Sequence, residues 1–140
     1  MTPTLIGRWQ TRLLLLGTVG LLFTLPFITG LVGTSPSLNY LFILFYVAIF
    51  GLGWDAFYNH LQKYRWDRDW PAAYQLFAGI WEMLFIWFVI SWFGLPFVRD
   101  VLWVNFFPHY TTVWIAVFIT SQSLMRIIFP RWRLRGGKWL

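Results

Sequence analysis

The chain has 140 residues, of which 59% are apolar, 23% aromatic and only 11% charged, against roughly 25% charged in soluble domains. A soluble fold of this length cannot hide so much apolar surface, and the net charge of +6 lies in loops and ends, where it suits anionic lipid headgroups rather than nucleic acid. The absence of cysteine excludes disulfides, thiolate metal sites and cysteine nucleophiles. The apolar runs are long rather than alternating, so backbone polar groups are satisfied within helices and not in a barrel. The expectation is an all-α integral membrane protein, one domain over 1–140 with four transmembrane helices.

The first residues carry Arg8 and Arg12 and no acid. They read as a basic end preceding a first helix over 13–32. A signal peptide would share the basic start, but this apolar stretch is longer than a signal core and no Ala-x-Ala site follows. Pro26 is expected to kink the helix. Gly33-Thr-Ser-Pro-Ser37 reads as a turn, followed by a second helix over 38–58, in which Gly51 and Gly53 are candidate points of close approach.

A charged, aromatic loop over 59–71 comes next. Pro71 suits the first turn of a third helix over 72–93, with Asp69 as a candidate cap or dipole partner. The segment 94–110 holds Arg99, Asp100, Asn105, Pro108 and His109 among apolar and aromatic residues. It is expected to carry a short interfacial helix with Trp103 and the phenylalanines towards lipid. A fourth helix over 111–129 and a basic tail over 130–140 complete the chain.

Ten lysines and arginines (Arg8, Arg12, Lys63, Arg65, Arg68, Arg126, Arg131, Arg133, Arg135, Lys138) then fall on one side and Arg99 alone on the other. The excess places both termini and the 59–71 loop in the cytoplasm, in a bacterial inner membrane.

Four of the five acids, Asp55, Asp67, Asp69 and Glu82, lie in one stretch. Glu82 falls about 15 Å into the third helix at 1.5 Å per residue, near mid-membrane, where a carboxylate must be protonated, paired or wet. Gln75, Ala78 and Gly79 share its face, which is expected to be buried against another helix. Asp55, with Tyr58, Asn59 and Gln62 on its face, and Gln122 and Arg126 from the fourth helix reach comparable depths. An intramembrane polar cluster of Asp55, Glu82, Gln122 and Arg126 follows, serving either as a packing clasp or as a site for a proton, cation or polar ligand.

The loop residues Arg65, Trp66, Asp67, Arg68, Asp69 and Trp70 interleave arginine, acid and tryptophan, the favoured anchors of protein interfaces, and read as a docking loop. Arg131, Arg133, Arg135 and Lys138 read as a lipid-binding tail. His60 and His109 fall on opposite sides of the membrane, so they cannot share a haem, and no metal site is expected. Eleven tryptophans and fifteen phenylalanines admit a flat apolar ligand such as a quinone or pigment. Lipid-facing and interfacial surface accounts for them more simply, and no cofactor is expected.

The chain lacks a Gly-x-Ser-x-Gly, a phosphate-binding loop, a His-Glu-x-x-His and a dinucleotide fingerprint. The expected function is therefore non-catalytic: contact with other membrane proteins or with a second copy, as an accessory or assembly subunit. The alternative is a small proton-coupled carrier or ligand-binding bundle using Glu82 and Asp55.

Overall fold

The structure, a computed structural model, describes residues 4–31, 38–67, 70–98, 101–132 and 134–138. The chain is all-helical, and four helices are long and apolar enough to cross a membrane: α1 (Leu5–Ile28), α2 (Asn39–Gln62), α3 (Ala72–Trp92) and α4 (Trp103–Ile128). Among the described residues the only β-type pairing is the isolated bridge between Leu95 and Val98. The helices alternate in direction. The start of α1, the end of α2, the start of α3 and the end of α4 meet at one end of the bundle, where the Thr4 amide donates to the Gly136 carbonyl at 2.8 Å.

Two helices begin well before the positions expected from hydropathy. α1 starts at Leu5 and not near residue 13, because Thr4 caps it: its side chain accepts from the Gly7 amide at 3.1 Å. A capped helix can extend through Arg8 and Arg12 provided their charges are matched inside the bundle. α1 also contains a π-helical turn, Leu16–Gly20, a feature that sequence periodicity does not signal.

α4 starts at Trp103, so the interfacial helix expected within 94–110 is not formed. That sequence is instead the first two turns of α4, with Pro108 inside the helix. A proline removes one backbone bond, a loss that a long apolar helix packed on its neighbours absorbs. Phe106, expected to face lipid, is fully buried, whereas Phe107 is exposed. α3 ends where Gly94 adopts φ 69° and its amide reaches the Val89 carbonyl at 2.9 Å, the left-handed stop that glycine accepts without penalty. The turn 33–37, Asp69 as a cap, and Arg99 with Asp100 lie outside the described residues.

The main core joins Leu16 of α1, Ile43, Leu44 and Val47 of α2, Ile86 of α3, and Phe106, Tyr110 and Val113 of α4. A second, smaller core of Leu15, Met125 and Trp132 ties the C-terminal tail to α1. There the Trp132 indole donates to Thr11 Oγ1 at 2.8 Å, and Thr11 donates in turn to the Gly137 carbonyl at 2.7 Å. Gly136 and Gly137 hold φ of 64° and 89°. A Cβ on Gly7 would collide with the Gly136 carbonyl, so the tail lies directly on the α1 backbone.

Candidate functional site

Arg12 is the centre of the buried polar cluster. Its Nε and Nη2 donate to Asp55 Oδ2 and Oδ1 at 2.8 and 2.9 Å. Its Nη1 and Nη2 donate to Glu82 Oε2 and Oε1, both at 2.9 Å. Two paired contacts with two carboxylates occupy four of the five N–H groups of a guanidinium, a geometry that lysine cannot reproduce. Tyr58 donates its hydroxyl to Glu82 Oε1 at 3.1 Å. Asp55 and Glu82 are 4% and 5% exposed, and Arg12 is the cation both acids touch.

The helices make room for it. Gly51 lies one turn before Asp55 on α2, and a Cβ there would overlap the Arg12 guanidinium. On α3, Gly79 lies one turn before Glu82. Its Cα side is covered by the Trp114 indole, and its carbonyl accepts from the Tyr110 hydroxyl at 2.9 Å. Gly53, the other glycine expected at a close approach, faces open space.

The expected cluster is thus differently paired. Asp55 and Glu82 share a cation, but that cation is Arg12. Arg126 is exposed and donates to Gln122 Oε1 at 2.7 Å. All four residues nevertheless line one cavity together with Arg12. Arg126 sits near the end of α4, where a long side chain reaches outward, while Arg12 lies a full two turns inside α1. The signals that could have revealed Arg12 are Thr4 as a helix cap and the need of two buried acids for a cation.

The cavity has a volume of about 300 Å³, at the lower edge of the range for small-molecule pockets, roughly 300–1,000 Å³. It runs between the helices. On α4 its lining extends from His109 to Arg126, about 25 Å at 1.5 Å per residue. Leu15, Leu16, Val113 and Val117 form apolar walls, and Arg8, Trp70, Gln75 and Gly137 stand at the end where the tail docks.

Arg8, read from sequence as a topology charge, is buried there. Its Nη2 donates to Gln62 Oε1 at 2.8 Å, and its guanidinium carbon lies 4.5 Å above the Trp70 ring. Arg8 Nε and Trp70 Nε1 are both buried without a hydrogen-bond partner.

At the opposite end lies His109, 1% exposed and packed between the rings of Phe27 and Tyr40, with centroids at 5.1 and 4.9 Å. It was expected on the outer surface before the fourth helix; the earlier start of α4 brings it inside. Thr24 donates its one hydroxyl proton to the Gly20 carbonyl at 2.7 Å, so the 3.0 Å contact with His109 Nε2 is made by a proton on the imidazole. His109 Nδ1 is then a bare acceptor, and it has no partner.

The loop and tail residues are dispersed. Arg65 pairs with Asp67 at 3.2 Å, donates to the Tyr74 hydroxyl at 2.6 Å and lies over the Tyr74 ring. Trp66 is 95% exposed. Trp70, by contrast, turns inward, stacking beside Tyr58 as well as Arg8. Arg131 and Arg135 are exposed and Lys138 is half-buried. Arg68, Asp69 and Arg133 lie outside the described residues. His60 is exposed beside Tyr64, 3.3 Å from its hydroxyl. Comparison with family models, curated proteins and solved structures gives no match for this chain.

Proposed function

We propose that this is an integral membrane protein that holds a small amphipathic ligand inside its four-helix bundle. The supporting observation is the cavity of about 300 Å³ lined by apolar side chains along its walls and by buried charge beside them. Pockets of this kind, largely apolar with a few convergent polar groups, are the usual setting for ligand recognition.

The reading is a binding bundle rather than a proton-coupled carrier. Asp55 and Glu82 have their oxygens engaged by Arg12, so neither can take up and release a cation without opening the clasp. The Arg12 cluster is then the packing element that keeps the cavity's shape. The cytoplasmic placement of both termini, in a bacterial inner membrane, is part of the proposal. With Arg8 and Arg12 assigned to the interior of α1, the other described lysines and arginines (Lys63, Arg65, Arg126, Arg131, Arg135 and Lys138) still lie at the end where the start of α1 and the end of α4 meet.

The test is extraction of the native protein into a neutral-lipid nanodisc, followed by solvent extraction and mass spectrometry of what it carries. The wild type is expected to retain a small molecule that Val117→Trp, which fills the cavity wall, does not. Equal carriage by both proteins refutes the reading.

Contact with another membrane protein is a second reading, supported by the exposed Trp66 beside the Arg65–Asp67 ion pair. It requires the same gentle extraction to return a fixed larger partner, and loss of that partner in Trp66→Ala.

A further inference from the structure

The clue to the ligand's chemistry is a pair of buried hydrogen-bond donors that the bundle leaves without acceptors, one of them on a cation. Arg8 is 7% exposed, and among the described residues it forms no ion pair: Arg12 takes both nearby acids, Asp55 and Glu82. Its contact with Gln62 is neutral, and its stacking on Trp70 offers the face of a ring. The Nε–H of Arg8 and the Nε1–H of Trp70 are left without acceptors.

Native proteins rarely bury donors in this way, and an orphaned pair beside a cavity indicates an absent acceptor. A cation withdrawn from water also calls for an anion more strongly than for any neutral group. Pro71, at the cap position of α3, has no side-chain acceptor, so the first amides of that helix add positive potential beside the same residues.

Resting on the ligand-binding reading above, we propose that the cavity takes a single-chain amphiphile with an anionic head. The carboxylate or phosphate accepts from Arg8 Nε and Trp70 Nε1 after a small side-chain adjustment. The chain lies along Leu15, Leu16, Val113 and Val117 towards His109. The elongated outline, about 25 Å on α4 at 1.5 Å per residue, suits a linear chain better than a compact solute. Its volume of about 300 Å³ accommodates one chain and not the two of a diacyl lipid.

The test uses the full chain in phosphatidylcholine nanodiscs and native mass spectrometry with three probes of similar length: palmitate, palmitoyl lysophosphatidylglycerol and hexadecanol. The wild type is expected to bind at least one of the anions roughly tenfold more tightly than the alcohol, the scale of one charge-assisted hydrogen bond. Arg8→Gln is expected to erase that preference, and Arg8→Lys to keep part of it. Tighter palmitate identifies a carboxylate ligand and tighter lysolipid a phosphate; either supports the proposal. Hexadecanol bound as tightly as both anions, or an unchanged preference in Arg8→Gln, overturns the anionic head while leaving the cavity reading intact. Failure of all three probes to bind wild type more than Val117→Trp overturns both. Should that variant aggregate, Val117→Phe serves in its place.

Discussion

A carboxylate buried alone is too costly to keep, and Asp55 and Glu82 are buried together beside a single guanidinium. Removing the cation is therefore the harshest change available. Arg12→Met is expected to destabilise the protein by about 3–5 kcal/mol, because it leaves two acids facing each other in the bundle. Replacing the whole set, Arg12→Met with Asp55→Leu and Glu82→Leu, is expected to recover most of that loss, since an apolar trio needs no compensation. Thermal unfolding in one detergent distinguishes these outcomes; a triple variant as unstable as the single one refutes the clasp.

Thr24 tests a quieter contact. Thr24→Val strands the proton on His109 Nε2 and is expected to cost about 1–3 kcal/mol in the same assay. The two acids were conspicuous in the sequence because charge stands out in an apolar run. Arg12 was not, since it falls where a hydropathy boundary is drawn, and a charge at a boundary looks solvated. His109 looks external for the same reason, because hydropathy alone starts its helix at 111 and not at Trp103.

At the scale of the element, what could be read was four long apolar helices and the span of α3, which ends at a glycine stop; α2 runs on past the expected end at 58 to Gln62. The starts of α1 and α4 could not, because each depends on partners far along the chain. α1 extends back to Leu5 because Thr4 caps it and because Gln62, Asp55 and Glu82 receive its two arginines. The tail also has a contact that its basic composition does not signal. Its basic residues suggest lipid contact, and Arg131 and Arg135 are exposed, while Trp132, Gly136 and Gly137 hold it to α1. Trp132→Ala is expected to cost about 3–5 kcal/mol as a large buried ring is lost. Trp132→Phe should cost less, mainly the one hydrogen bond to Thr11, on the order of 1 kcal/mol. Amide exchange of the first turns of α1 is the sharper readout: it should accelerate in Trp132→Ala, because Thr4 and Thr11 lose their tail partners. Unchanged exchange there means that the tail contact contributes nothing to α1.

For the molecule as a whole, the alternating helices bring Thr4, Gly136 and the end of α2 to one end and the Leu95–Val98 turn to the other. If the bundle spans a membrane in the proposed sense, the end rich in lysine and arginine faces the cytoplasm. The absence of cysteine makes this directly measurable, because any introduced thiol is the only one in the chain. Trp66→Cys and Arg135→Cys sit at exposed positions of the basic end, and Phe97→Cys at an exposed position of the opposite turn. Applied to intact cells, a thiol reagent that cannot cross the membrane should label the Phe97 variant and spare the other two; inverted vesicles should reverse the pattern. Labelling of all three in intact cells would mean that the bundle does not separate two compartments. The reverse pattern would mean that it is inserted the other way round. In that inverted case the Arg8 end of the cavity would face outward, and an anionic amphiphile would have to enter from the outer leaflet. The labelling result therefore decides which leaflet supplies the ligand as well as which way the chain is threaded.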